Sequence, residues 1–165
     1  MNGLALALAL VVSAPPAAPA PAPAATLDGA AAFERVKKLE GSWKTDGKDG
    51  AVQYVAIRLV ANGSAVLETT TAADRTSVTS VTVYALEGTE LVATNHSAGG
   101  QSKLKASTNA GDTLKFDGLT KDAKVSGLHF VIKESKLRQE WQVREGGKDV
   151  KKSIDLLREY VDTLK

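Results

Sequence analysis

No cysteine occurs in the 165-residue chain. That absence excludes disulfides, a thiolate nucleophile, Cys-ligated zinc, iron–sulfur clusters and the acylated Cys of a lipoprotein anchor. Histidine is almost as scarce: His96 and His129 are the only two, so a three-His zinc site is ruled out. Aromatic residues are 5% of the chain, and 21 Lys+Arg against 19 Asp+Glu leave a net charge of +2. So small an excess does not accumulate phosphates, and Lys37-Lys38, Lys103, Lys105, Lys148 and Lys151-Lys152 are interspersed with acids rather than with aromatics. Nucleic acid is therefore not an expected partner. Gly-x-Ser-x-Gly, a phosphate loop, a dinucleotide fingerprint and His-Glu-x-x-His are all missing, which removes the motif-bearing enzyme classes.

Long apolar runs are missing too. The run 4–12 is nine residues, against roughly 18 to 20 for a spanning helix. It is followed by Ser13-Ala14-Pro15-Pro16 and by Ala18-Pro19-Ala20 and Ala20-Pro21-Ala22, which fit the h-region and cleavage zone of a secretory signal peptide. Met1-Asn2-Gly3 has no Lys or Arg, so the signal is atypical or translation starts further upstream. Residues 14–25 are almost wholly Ala and Pro, an extended spacer unable to bury a core. Residues 1–25 thus read as signal peptide plus spacer, and 26–165 as one folded domain of an exported, periplasmic or extracellular protein.

The domain is expected to open with a short helix through residues 30–39, N-capped by Thr26 or Asp28. Phe33, Val36 and Leu39 recur at helical spacing on its inner face. After Gly41 the pattern becomes short β-rich runs separated by Gly, Asn and Asp at roughly 8 to 12 residues, an all-β signature. About ten strands are predicted: near 41–44, then 51–61, 64–71, 77–86, 90–96, 102–107, 113–119, 127–134, 136–144 and a terminal segment from Val150. A two-residue hairpin at Asn62-Gly63 is expected between the second and third. Short links make sequence neighbours spatial neighbours, and a meander this long calls for closure into an up-and-down antiparallel barrel, because an open sheet leaves two edges exposed.

Alternation assigns faces on some strands. Leu137, Gln139, Trp141 and Val143 are expected inside, opposite Arg138, Glu140, Gln142 and Arg144; Leu114 with Phe116, and Leu104 with Ala106, follow the same rule. The end of the chain is two-sided. Val150, Ile154, Leu157, Val161 and Leu164 fall at helical spacing, whereas Gly146-Gly147 before them is a hairpin turn. The expectation is a strand over about residues 150–158, with a helix as its competitor.

Leu39-Glu40-Gly41-Ser42-Trp43, a Gly-x-Trp after a short helix, resembles the opening motif of lipocalins and other calycin-like barrels. The segments 63–70, 81–91, 94–98 and 139–148 that follow resemble, in that order, a family of exported bacterial proteins with a lipocalin-like or nitrobindin-like ten-stranded barrel. The resemblance spans about residues 33–158. It implies a closed barrel with an internal cavity and, in the nitrobindin branch, a haem iron held by a barrel histidine. The sequence departs from that branch: Trp43 is followed by Lys44-Thr45-Asp46-Gly47 instead of a Gly-rich stretch, and Ala85 and Asn95 stand where the nearer family commonly has His.

The favoured function is non-enzymatic binding of a small hydrophobic or amphipathic molecule, with Trp43, Leu67, Leu104, Phe116, Phe130 and Trp141 as lining. Trp43 and Trp141 have a competing role as core plugs. Glu68 interrupts an apolar-and-Thr strand; it either orients a polar ligand group or pairs with Arg58 on the preceding strand. Tyr84, with Arg138 or Arg144, is a candidate for a barrel mouth. His96, at a strand end before Gly99-Gly100, is the candidate ligand contact and the weak candidate for haem iron; His129, on the face opposite Leu128, Phe130 and Ile132, is expected to point outward. No resident cofactor is expected in the favoured reading. Its alternatives are a haem-binding barrel, or an enzyme on an apolar substrate using Glu68, Tyr84 or His96 in acid–base roles.

Overall fold

The computed structural model describes residues 27–45, 47 and 51–159. The signal and spacer expectation for 1–25 lies outside that span. Helix α1, Gly29–Lys37, starts where Asp28 places its carboxylate on the free amides of Ala30 and Ala31 at 3.0 and 3.2 Å, satisfying donors that have no partner within the helix. Ala32, Phe33 and Val36 form its buried face. Gly29 cannot be replaced there without movement, since a Cβ would lie 2.2 Å from the Thr89 carbonyl oxygen. Arg35 fastens the other side of the helix, donating to Asn109 Oδ1 at 2.6 Å and to the Thr113 carbonyl at 2.9 Å.

Ten antiparallel strands follow: β1 Gly41–Thr45, β2 Tyr54–Val60, β3 Ala65–Thr71, β4 Val78–Glu87, β5 Glu90–Ser97, β6 Gly100–Ala110, β7 Thr113–Gly118, β8 Val125–Lys133, β9 Lys136–Glu145 and β10 Lys148–Glu159. Each pairs with its neighbours in sequence, and β10 returns to β1 in the register Ser42↔Glu159 to Thr45↔Leu156, closing the barrel. Closure leaves no complete edge strand to template aggregation. The last segment is thus a strand: its Gly146-Gly147 turn, with φ of 57° and 80°, provides the left-handed residues a tight hairpin needs, and cross-strand pairing overrides the helical spacing.

Two local expectations are corrected. The β2–β3 link has four residues, not two: pairing stops at Val60↔Ala65, Ala61, Asn62 and Gly63 all take positive φ, and the Ser64 amide and hydroxyl both return to the Ala61 carbonyl. β6 begins at Gly100 and runs through Ala110, past the expected stop at Ser107, because an irregularity between Ala106 and Thr108 absorbs the break in alternation, as a bulge does.

Helix α1 packs over the end of the barrel where β1 starts and β10 finishes; its neighbours are β4, β5 and β6. Below it lies the apolar core. Tyr84, Phe116 and Phe130 meet with ring centroids 5.7 to 6.0 Å apart, a spacing at which tilted rings attract. Trp43 is 1% exposed, its indole N–H donates to the Leu39 carbonyl at 2.9 Å, and the Arg158 guanidinium stacks 4.6 Å from its ring. Each such large side chain, fully buried, contributes on the order of 2 to 3 kcal/mol from apolar transfer alone.

Candidate functional site

One row of the barrel wall breaks the apolar rule. Glu68, Thr82, Asn95 and Ser102 stand side by side on β3, β4, β5 and β6, in the register Glu68↔Thr82, Thr82↔Asn95, Asn95↔Ser102. All four are buried, each at 3% exposure or less. Thr70, the next inward position on β3 towards the end opposite α1, is 8% exposed, and one such step is about 6.6 Å along the strand. The interior therefore has an apolar base under the helix and, on β3 to β6, a polar wall reaching towards the opposite end, its mouth.

Glu68 is the centre of this wall. Tyr84 donates its hydroxyl to Glu68 Oε2 at 2.9 Å, and Gln139 reaches across from β9 to donate its amide to the same oxygen at 3.1 Å. Asn95 Nδ2 donates to Thr82 Oγ1 at 3.0 Å, on the same face of β4 as Tyr84. Tyr84 and Gln139 thus converge on one carboxylate oxygen. The other, Glu68 Oε1, is buried with no partner among the described residues. Burial drives the Glu68 carboxyl up to about 7, against the smaller lowering from its two hydrogen bonds. Burial likewise pushes the Tyr84 hydroxyl well above its ordinary range, with the adjacent Glu68 adding to it, so Tyr84 keeps its proton and acts as a donor.

Several sequence-based assignments are corrected here. Glu68 does not pair with Arg58: Glu68 faces inward opposite Ile57, whereas Arg58 sits opposite Leu67 on the outer face and binds Ser42 Oγ at 3.1 Å. Leu67 consequently lies outside, between Arg58 and Val83, and lines nothing in the interior. His96 is exposed on the outer wall between Val81 and Gln101, because it is one residue out of phase with the inward Asn95. Trp43 closes the base, as its bonds to Leu39 and Arg158 show. Leu104, Phe116 and Phe130 are in the apolar core, while Trp141 packs half-buried against its edge beside Leu128. Of the proposed site residues, the structure brings Glu68 and Tyr84 together. Arg138 and Arg144 are on the outer face, where they pair with Asp155 and Asp149.

A histidine-held haem does not fit this interior. His96 faces solvent, and His129 also lies on the outer wall, its Nδ1 3.0 Å from Glu140 Oε2. Among the described residues no group of three or more Asp, Glu or His is placed to hold a metal ion. Around His129, Lys115, Asp117, Gly127, Glu140 and Gln142 line an outer groove, and Lys151 joins Glu140 at 2.8 Å. Lys151, ahead of the His129 contact, holds the Glu140 carboxyl below its usual range.

Thr82, Asn95, Ser102 and Gln139 were not among the sequence-derived site residues. Their signal was parity: Thr82 shares a face with Tyr84, Asn95 with Ala93, and Ser102 with Leu104. Polar residues in phase with buried apolar ones mark an inward polar wall. No protein-family model matches the chain, and no curated protein matches it.

Proposed function

We propose that the protein is an exported, lipocalin-like barrel that binds a small amphipathic molecule in the mouth-side half of its interior without chemically transforming it. The observation that carries this reading is Glu68 Oε1, a carboxylate oxygen buried without a partner beside a wall of hydroxyls and amides. An unpaired buried polar atom costs about 1 to 3 kcal/mol, more when charged, and a ligand group bonded to it removes that cost. Half-buried Trp141 and Ile154, next to Gln139 on β9 and β10, offer apolar surface for the rest of the molecule. Export is supported by the apolar run 4–12 and the Ala/Pro tract after it.

Native mass spectrometry of protein purified from its own host, before and after denaturation, tests both halves of the reading. A mass that leaves on unfolding identifies the ligand, and a polypeptide mass lacking roughly the first twenty residues establishes signal cleavage. A full-length mass refutes export. Loss of the adduct in Glu68→Gln places the ligand beside the carboxylate; an adduct retained in full overturns that placement.

A further inference from the structure

The interior-binding reading leaves the head group open, and the charge inventory of the barrel narrows it. Among the described residues the buried polar side chains are Glu68, Thr70, Thr82, Asn95, Ser102 and Gln139, none of them cationic. The titratable group facing Glu68 from β4 is Tyr84, a proton donor; from β2 it meets Ile57, and from β9 Gln139. Of the inward-phase cations of β10, Arg158 is stacked on Trp43 and donates to the Lys38 carbonyl at 3.2 Å, and Lys152, opposite Trp141, is exposed and pairs with Glu145. Among the described residues Glu68 thus receives two hydrogen bonds and no countercharge.

Resting on that reading, we infer that the ligand is a cationic amphiphile, a primary amine on an apolar chain, whose ammonium group bonds Glu68 Oε1. A buried carboxylate is tolerated when it is both hydrogen-bonded and paired; Tyr84 and Gln139 meet the first condition at Oε2, and the ligand meets the second at Oε1. An ammonium also has three N–H donors, and the hydroxyl and amide oxygens of Thr70, Thr82 and Asn95 stand on the same wall. A neutral alcohol provides a hydrogen bond but no charge. A fatty carboxylate is repelled. A hard divalent cation needs six or more oxygen ligands, and the interior has a single carboxylate among its described buried residues.

The test is calorimetric titration of the full-length protein with decylamine, decanol and decanoate, which share one chain length and differ in the head group. At pH 8 decylamine binds at least tenfold tighter than decanol, and decanoate binds weakest. In Glu68→Gln decylamine binds no tighter than decanol does to the same variant. Below about pH 7, where Glu68 takes up its proton, the decylamine affinity of the native protein falls towards tenfold per pH unit. Glu68→Gln removes that slope. A measurement without any variant supports the same conclusion: titration at pH 6 in buffers of different ionisation enthalpy finds about one proton released per decylamine bound. Decanol binding as tightly as decylamine, or decylamine binding without proton release, overturns the amine assignment while the interior-binding reading stands. Failure of all three to bind overturns both.

Discussion

Two sides of the barrel interior obey one alternation rule, yet they are filled by opposite chemistries. On β1 and β7 to β10 the inward positions include Trp43, Leu114, Phe116, Phe130, Leu137 and Leu156, each 1% exposed or less. On β3 to β6 they include Glu68, Thr70, Thr82, Asn95 and Ser102, and β9 adds Gln139. The base gains transfer free energy with every side chain, whereas the polar wall costs desolvation that its internal hydrogen bonds only partly offset. Stability thus resides in the apolar set, and the polar row is free to hold groups whose value lies in recognition.

Substitutions in the base should show the largest effects. Phe130→Ala removes a ring packed against both Tyr84 and Phe116; a loss of about 3 to 5 kcal/mol is expected in urea unfolding. A loss below about 1 kcal/mol would mean that the base is not the stabilising side. Glu68 comes next, through pH. Its folded carboxyl titrates near 7, and the unfolded one near the ordinary 4.5. The folded state therefore holds a proton that the unfolded state releases between these values. Stability from this group is fully present below about pH 4.5, declines as pH rises to 7, and is flat above, a difference of about 3 kcal/mol. Asp74, held down to about 2 by Ser77 and Thr76, acts in the opposite sense at acid pH, so the comparison is made against Glu68→Gln. That variant should match the native protein at pH 5 and exceed it in stability at pH 8. A pH-independent difference between them would refute the assignment. Thr82→Val is smaller. It preserves shape but leaves Asn95 Nδ2 without its acceptor, so a loss of about 1 to 3 kcal/mol is expected by thermal unfolding, and no loss would refute the Asn95–Thr82 hydrogen bond.

The architecture was legible because each part has a local signature. Asp28 before an apolar period, Gly-containing turns between alternating runs, and the closure imposed by a ten-strand meander all survive translation into three dimensions. The site was half legible. Glu68 stood out as a charge among apolar and Thr residues, but its partner did not: Tyr84 is 16 positions away and Gln139 is 71, and only the closed barrel brings β9 across from β3. His96 attracted attention by its chemistry, although a one-residue shift from Asn95 turns it out to solvent. Parity decided function here more than residue type did.

The smallest expected effect lies outside the barrel and sharpens the comparison from the other side. Glu140 accepts from Lys151 at 2.8 Å and meets His129 Nδ1 at 3.0 Å on the outer wall, a cluster chemically richer than the Glu68 network. Solvent nevertheless reaches it: the Lys151 side chain is 61% exposed and that of Glu140 16%. Water screens such pairs, and their measured worth is about 0 to 1 kcal/mol. Glu140→Gln should therefore change stability by less than about 1 kcal/mol and leave decylamine binding untouched. If it instead destabilised as much as Thr82→Val, or weakened the amine, the contrast between a polar interior and a merely charged exterior would fail. Burial, rather than the number of charged groups, is what makes one carboxylate consequential and the other incidental.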